Sequence, residues 1–479
     1  MPASSHAFLT ATALLCAQVI AYAKPPNEVR APDTRAAGLS GPTVPDAIDG
    51  GIDAWSLKNI LNGIPDTGTN AFGGAVSMSG HRLAIGAYNT PCPAPMTGTC
   101  GNAFVYDDEP GPSLTRYAVP SPNPSAGAGY GVSIAIDGDW LVVGAPDEHR
   151  AAGYFAGNVY LFHFVAGNWD PVPLQTPDEA GALLGQSVAI SASGLAVAGM
   201  PHQSRTTPPA LTNNGAVATF VRDAAGDWSY EGIVRAATPV SNAFFGSAVG
   251  LHTYVLPPGI LNGFGIAVGA PGTSVLGQPN AGEGYAFTRA HDDTQWTAAG
   301  HFNLGAAAHP DARFGAAAAI DGGVVAFGVP GRIKTLNGPA AGSVYFAQRS
   351  GTDWSTYLAD EVYGTQQDGG AFGSAIALAG DDAFIGAPYY TLSSTGNGQM
   401  QHFHRSGSPG QWDYVAYIVE YYPNQNAHFG TSIALDGVRL AVGSPGSPLF
   451  GQPPTSDRVG MAYVYVADLI FTDGFDGIE

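Results

Sequence analysis

One phrase recurs along this chain and limits what it can fold into. "FGTSIALDGVRLAVGSPG" (429–446) has close copies in "YGVSIAIDGDWLVVGAPD" from Tyr130, "FGAAAAIDGGVVAFGVPG" from Phe314 and "FGSAIALAGDDAFIGAPY" from Phe372. Looser copies begin at Phe72, Leu184 and Phe245. In five copies the Gly after the first aromatic and the Gly of the "GAP"-like triplet stand 13 residues apart. A fixed offset inside a unit of 54–69 residues marks an array whose neighbours share one continuous core.

Each copy carries the same order of parts. Alternating small and β-branched residues, as in "SIALD" (432–436), predict a first strand. Asp-Gly pairs at Asp137, Asp321 and Asp436 predict tight hairpin turns. A continuous apolar run such as "LVVGAP" follows, and a run apolar on both faces must be buried on both. After a polar loop comes a third strand led by Gly, as in "GNVYLF" from Gly157 and "GMAYVY" from Gly460. Six of the seven tryptophans announce a fourth strand, and only Trp140 sits elsewhere. The expected fold is therefore all-β, a seven-bladed β-propeller of four-stranded antiparallel blades. The seventh copy lacks a Trp-led strand, whereas "AWSLKN" (54–59) precedes the first copy. An amino-terminal strand completing the last blade would close the ring.

Composition agrees with short strands joined by turns. Charged residues make up 12 %, while Gly (66) and Pro (37) are abundant. A formal charge of −20 argues against nucleic acid or an anionic membrane as partner, since both need a basic face. Residues 1–23 read as a secretory signal ending in Ala21-Tyr22-Ala23, 24–53 as a linker, 54–467 as the propeller and 468–479 as a tail. No segment of the mature chain is long and apolar enough for a transmembrane helix. Export, to the periplasm, cell surface or medium, makes a Cys92–Cys100 disulfide the expected state of "CPAPMTGTC".

The repeated phrases resemble FG-GAP repeats, which build the propeller at the amino end of integrin α chains and occur in exported bacterial proteins. Tyr130 and Leu184 replace the Phe, Tyr88 replaces the Pro, and Gly199-Met200-Pro201 replaces "GAP". The resemblance implies calcium in the turns between first and second strands, through an Asp-x-Asp-x-Asp-Gly-x-x-Asp run. No copy here has that run, so no metal or other cofactor is expected.

No G-x-S-x-G elbow, H-E-x-x-H or phosphate loop is present, and no catalytic residue is assigned. His402 and His404 project from one strand face, but the neighbouring sequence offers no acid to join them. Asp107-Asp108-Glu109 reads as a solvated turn. The long loops between second and third strands share one face of the disc, opposite the Asp-Gly turns. They hold His149, Arg150, Tyr154, His202, Arg205, Arg332, Lys334, Tyr389 and Tyr390, the candidate ligand-binding residues. Four cations there would attract an acidic glycan or protein loop, with binding that weakens as salt rises. These features point to a non-catalytic binding or adhesion module with a protein or glycan ligand outside the cell. The alternatives are a polysaccharide hydrolase or lyase with its site at the channel mouth, and a structural part of a surface assembly.

Overall fold

The computed structural model describes residues 55–467 apart from 63–69, 109–113, 257–259, 335–337, 339, 350–353, 355–356, 365–366, 392–395, 407–409, 421–423 and 449–457. The expected signal, linker and tail lie outside these residues. Seven four-stranded antiparallel sheets form seven blades. Blade one comprises Phe72–Ser79, Arg82–Ala87, Asn102–Asp107 and Thr115–Val119, from the ring axis outward. Blades two to six repeat this order over residues 133–172, 188–234, 248–302, 318–363 and 375–418. In the seventh sheet the strands Ser432–Asp436, Arg439–Ser444 and Met461–Ala467 are joined by Trp55–Asn62. Trp55 pairs with Ala467 and Asn62 with Met461, so the outer strand of the last blade comes from the amino-terminal side. The inner strands of successive blades pack against one another around the ring, blade seven against blade one.

The repeated glycines explain the phrase. Gly131 has φ +90°, and the Val132 N–H donates to the Gly129 carbonyl at 3.0 Å, a turn of type II geometry that requires Gly at its third position. The Gly131 N–H donates to Gly144 O of the same blade at 3.0 Å. Gly144 in turn faces blade three, where the Gly185 carbonyl oxygen lies 2.1 Å from the place a Cβ would occupy. The same contact recurs at every blade boundary, ending with Gly443 against Gly73. Ser133, Ser187 and Ser432 add hydroxyl bonds of 2.7–2.8 Å to the next blade's glycine carbonyl. Parallel bridges complete the lock, from Gly101 with Tyr130 round to Gly460 with Phe72. Where Tyr130 replaces Phe, its hydroxyl is satisfied at Val119 O, 3.0 Å away in the preceding blade.

The outer-strand tryptophans staple neighbouring blades. Trp412 of blade six stacks on Phe346 of blade five with centroids 4.3 Å apart. Trp228 meets Trp140 of blade two at 5.4 Å, and Trp55 meets Phe384 edge-on at 5.3 Å. Trp140, the residue outside the repeat pattern, thus receives the staple of the next blade.

Candidate binding face

The loops between second and third strands fold over the connection that leads into the next blade. Leu183 N–H donates to Phe155 O (3.1 Å), Arg313 N–H to Asn280 O (2.9 Å) and His428 N–H to Gly396 O (3.1 Å). Backbone bonds therefore fix the loops to the frame. The residue before each repeat aromatic is left-handed, including the bulky Leu183, Phe244, Arg313 and His428 at φ 54–58°. L-residues resist this conformation by roughly 1–2 kcal/mol each, and the frame holds it at every blade.

The structure sorts the candidate residues into separate groups. In blade two the His149 ring meets Tyr154 at 4.7 Å and Phe155 at 5.2 Å, both edge-on. Tyr154 is 73 % exposed and Phe155 40 %. Arg150, next in the chain, donates to Pro177 O at 2.7 Å. In blade three His202 lies 5.1 Å from Phe244, and burial pushes its imidazole pKa down. Arg205 spends two nitrogens on Pro209 O, 2.7 and 3.0 Å away, inside its own loop.

In blade five Arg332 is 8 % exposed and grips Glu361 at 2.7 and 3.3 Å. Burial raises the Glu361 pKa, but bonds from Arg332, Tyr363 and Ser343 outweigh it and leave the carboxyl below its ordinary value. The exposed Lys334 ammonium sits 4.5 Å above the Tyr363 ring. In blade six Tyr389 meets His428 of blade seven at 5.1 Å, and Tyr390 is half-buried against the core. Three of the four cations thus bond to carbonyls or a carboxylate within the protein, and Lys334 alone of the four is exposed.

A family model described as FG-GAP repeat matches residues 121–162, the approach to blade two and its first three strands. Residues 121–162 are an FG-GAP repeat set in a seven-bladed β-propeller. The glycine contact of that matched segment recurs at all seven blade boundaries. Among solved structures, Sqt1 of Saccharomyces cerevisiae overlays on this chain with a TM-score of 0.44 at 10 % identity, covering 84 % of this chain and 97 % of that one. No curated protein matches the sequence.

Two exposed residues on the loop face are absent from the candidates drawn from the sequence. Leu276 is 76 % exposed with φ 51°, at the tip of a hairpin closed by the Val275–Gln278 bridge. Phe155 has φ 54° beside Tyr154. The signal for Leu276 is its position before Gly277, which makes a two-residue left-handed turn. Two acids lie beside the His149 group. Glu148 is buried under the Tyr160 hydroxyl at 2.7 Å. Burial pushes Asp147 up to about 6, with His149 partly offsetting it.

The turn face of the ring corrects two sequence expectations. Asp107 is buried rather than solvated, bonded by Arg82 Nε at 3.0 Å and His81 Nδ1 at 2.5 Å. His81, Asp107 and Asp108 offer ligand atoms within 4.8 Å of one another, but Arg82, Lys58 and Arg439 already balance those acids. His402 and His404 do have an acid beside them. It is Asp382, brought from the adjacent strand at 2.8 and 2.9 Å. The Asp-Gly aspartates also do more than form hairpins. Asp137 accepts Ala192 N–H of blade three (2.6 Å), Asp321 accepts Gly380 N–H of blade six (2.6 Å), and Asp436 accepts Gly80 N–H of blade one.

Proposed function

We propose that the chain is a non-catalytic binding module that takes a protein or glycan ligand on its loop face, centred on His149, Tyr154 and Phe155. The observation that carries this reading is the Tyr154 ring, 73 % exposed yet braced edge-on by His149. A rigid, amphipathic aromatic on a fixed loop gives contact area at low entropic cost. Leu276 and Lys334 extend the face, and Tyr389 with His428 adds a second aromatic group. Because Arg150, Arg205 and Arg332 bond internally, attraction of an acidic ligand by these cations is the weaker part of the reading. The Cys92–Cys100 disulfide and the apolar first 23 residues support export to an oxidising compartment outside the cytoplasm.

A glycan and protein array probed with residues 24–479 identifies the ligand class. Tyr154→Ala and Phe155→Ala should then each weaken binding by about tenfold or more, as for buried aromatic anchors. Lys334→Ala should have a smaller effect that fades with salt. Unchanged binding in the Tyr154→Ala/Phe155→Ala double variant would remove blade two from the site.

A further inference from the structure

The tryptophan staple between blades three and four leaves a gap. In blade five, Phe346 stands four residues after Gly342, which leads the third strand, and Trp412 of the next blade stacks on it at 4.3 Å. The same place in blade three holds Thr219, four residues after Gly215. Thr219 pairs with Gly232 of the outer strand, and its hydroxyl donates to the Gly232 carbonyl at 3.3 Å. Cross-strand partners share a sheet face, here the one on which Val217 and Val234 join the core shared with blade four. Gly232 has no side chain to fill the space, and a Cβ built on it meets nothing within 4 Å. A cavity of about 240 Å³ results, walled by Thr219, Gly232 and Arg235 of blade three and by Phe287 and Trp296 of blade four. Thr294 and Gln295, both exposed, stand at its rim.

Charge decides what such a cavity holds. Glu231, also on its wall, is balanced by Arg289 at 2.5 Å. Arg82, Arg332 and Arg405 each hold a carboxylate in the same way. Arg235 differs. It is half-buried, its Nε is buried with no hydrogen-bond partner, and among the described residues no carboxylate pairs with it. Glu179, the acid that acts on it through space, bonds Gln203 and Ser204 instead, at 3.2 and 3.4 Å. Burial pushes the Arg235 pKa down, and Glu179 offsets only part of that. A guanidinium taken partly out of water is disfavoured until a counterion joins it. Its planar fork matches a carboxylate, which it can bond through two parallel N–H groups.

We propose that this cavity binds a small hydroxylated carboxylate, the size of one uronic acid unit, with the carboxylate on Arg235 and the hydroxyls among Thr219, Glu231, Thr294 and Gln295. The volume is several times the roughly 30 Å³ of a water molecule and below the about 300–1,000 Å³ of sites for drug-sized ligands. Hydroxyl and amide groups both donate and accept, and the Glu231 carboxylate keeps acceptor capacity beside Arg289, which suits a ligand with several hydroxyls. A dianion such as phosphate fits less well, because Glu231 on the same wall repels the second charge. The site lies between blades three and four and does not depend on the reading of the His149 group in blade two.

The test is saturation-transfer NMR of the purified chain with sodium glucuronate and with glucose, which has the same ring without the carboxylate. Glucuronate should bind, and glucose should bind about tenfold or more weakly, the loss expected of a charged hydrogen bond. Arg235→Gln should weaken glucuronate by a similar factor. Gly232→Leu should abolish binding by filling the cavity, since Gly232 lies outside the left-handed range and its backbone accepts a side chain. Circular dichroism should be unchanged in both variants, and Arg235→Gln decides if Gly232→Leu does not fold. No glucuronate binding at about 10 mM would overturn the proposal, because a ligand this small is expected near 1 mM. Equal binding of glucose, or binding unchanged in Arg235→Gln, would overturn it as well.

Discussion

The carbonyl oxygen of Gly131 lies 2.0 Å from the position that a Cβ on Gly86 would occupy, so blades one and two meet backbone to backbone. The repeated glycines are spaced by this contact. Gly86→Ala must push the blades apart and should lower unfolding free energy by about 3 kcal/mol, the upper range for overpacking a rigid core. Gly138, in an Asp-Gly turn at φ +59°, has nothing within 4 Å of a built Cβ. Gly138→Ala carries backbone strain alone and should cost about 1–2 kcal/mol. Denaturant unfolding of the two variants checks the order, and equal losses would show that the close approach is not what fixes Gly86.

The tryptophan staples should differ in weight according to burial. Trp412 is 4 % exposed and stacked on Phe346, so Trp412→Ala should cost about 3–5 kcal/mol, as for other buried aromatics. Trp55 is half-buried and touches Phe384 only by its edge. Trp55→Ala should cost roughly half as much. If Trp55 proves the costlier of the two, closure of the ring dominates over local burial.

Asp147 predicts a pH dependence of stability. Its folded pKa is raised from 3.8 to about 6, chiefly by burial. A raised acid favours the folded state while protonated, so its contribution is full below about pH 4 and is lost as pH rises through about 6. Asp147→Asn keeps the neutral form at all pH values. It should match wild type at pH 4 and exceed it at pH 7 by at most about 3 kcal/mol, the limit set by the shift. Thermal unfolding at both pH values measures the difference, and a variant less stable at pH 7 would reverse the sign.

The Asp-Gly aspartates should act as clips between blades. Asp321 bonds Gly380 N–H at 2.6 Å and pairs with His252 of blade four at 3.1 Å. Asp321→Ala removes a bond made by a nearly buried carboxylate and should cost about 1.5–3 kcal/mol, the range for hydrogen bonds to charged groups. Asp223, whose carboxylate bonds only within its own loop to Ala225 and Asp227 N–H, provides the comparison. Asp223→Ala should cost less in the same denaturant titration.

The repeat itself made the architecture legible. Asp-Gly pairs mark the hairpins, continuous apolar runs mark strands buried on both sides, and a missing last strand with a spare first one marks the closure. These are local signals, because turn conformation and strand burial are set within a few residues. The Cys92–Cys100 pair was legible for the same reason, being only 8 residues apart.

Partners brought from another strand or blade were not legible. Nothing near "QHFH" names Asp382, which arrives by strand register 20 residues away. Arg332 reads as a free loop cation until the outer strand of its blade supplies Glu361, 29 residues on. Asp436 reads as a turn residue, yet its acceptor role lies 356 residues away at Gly80, across the closed seam. Sequence alone determined the ring, because each blade's strands and turns are encoded within one repeat. Tertiary structure decided which charges remain available, because an ion pair or hydrogen bond depends on distance in space, and ring closure sets those distances.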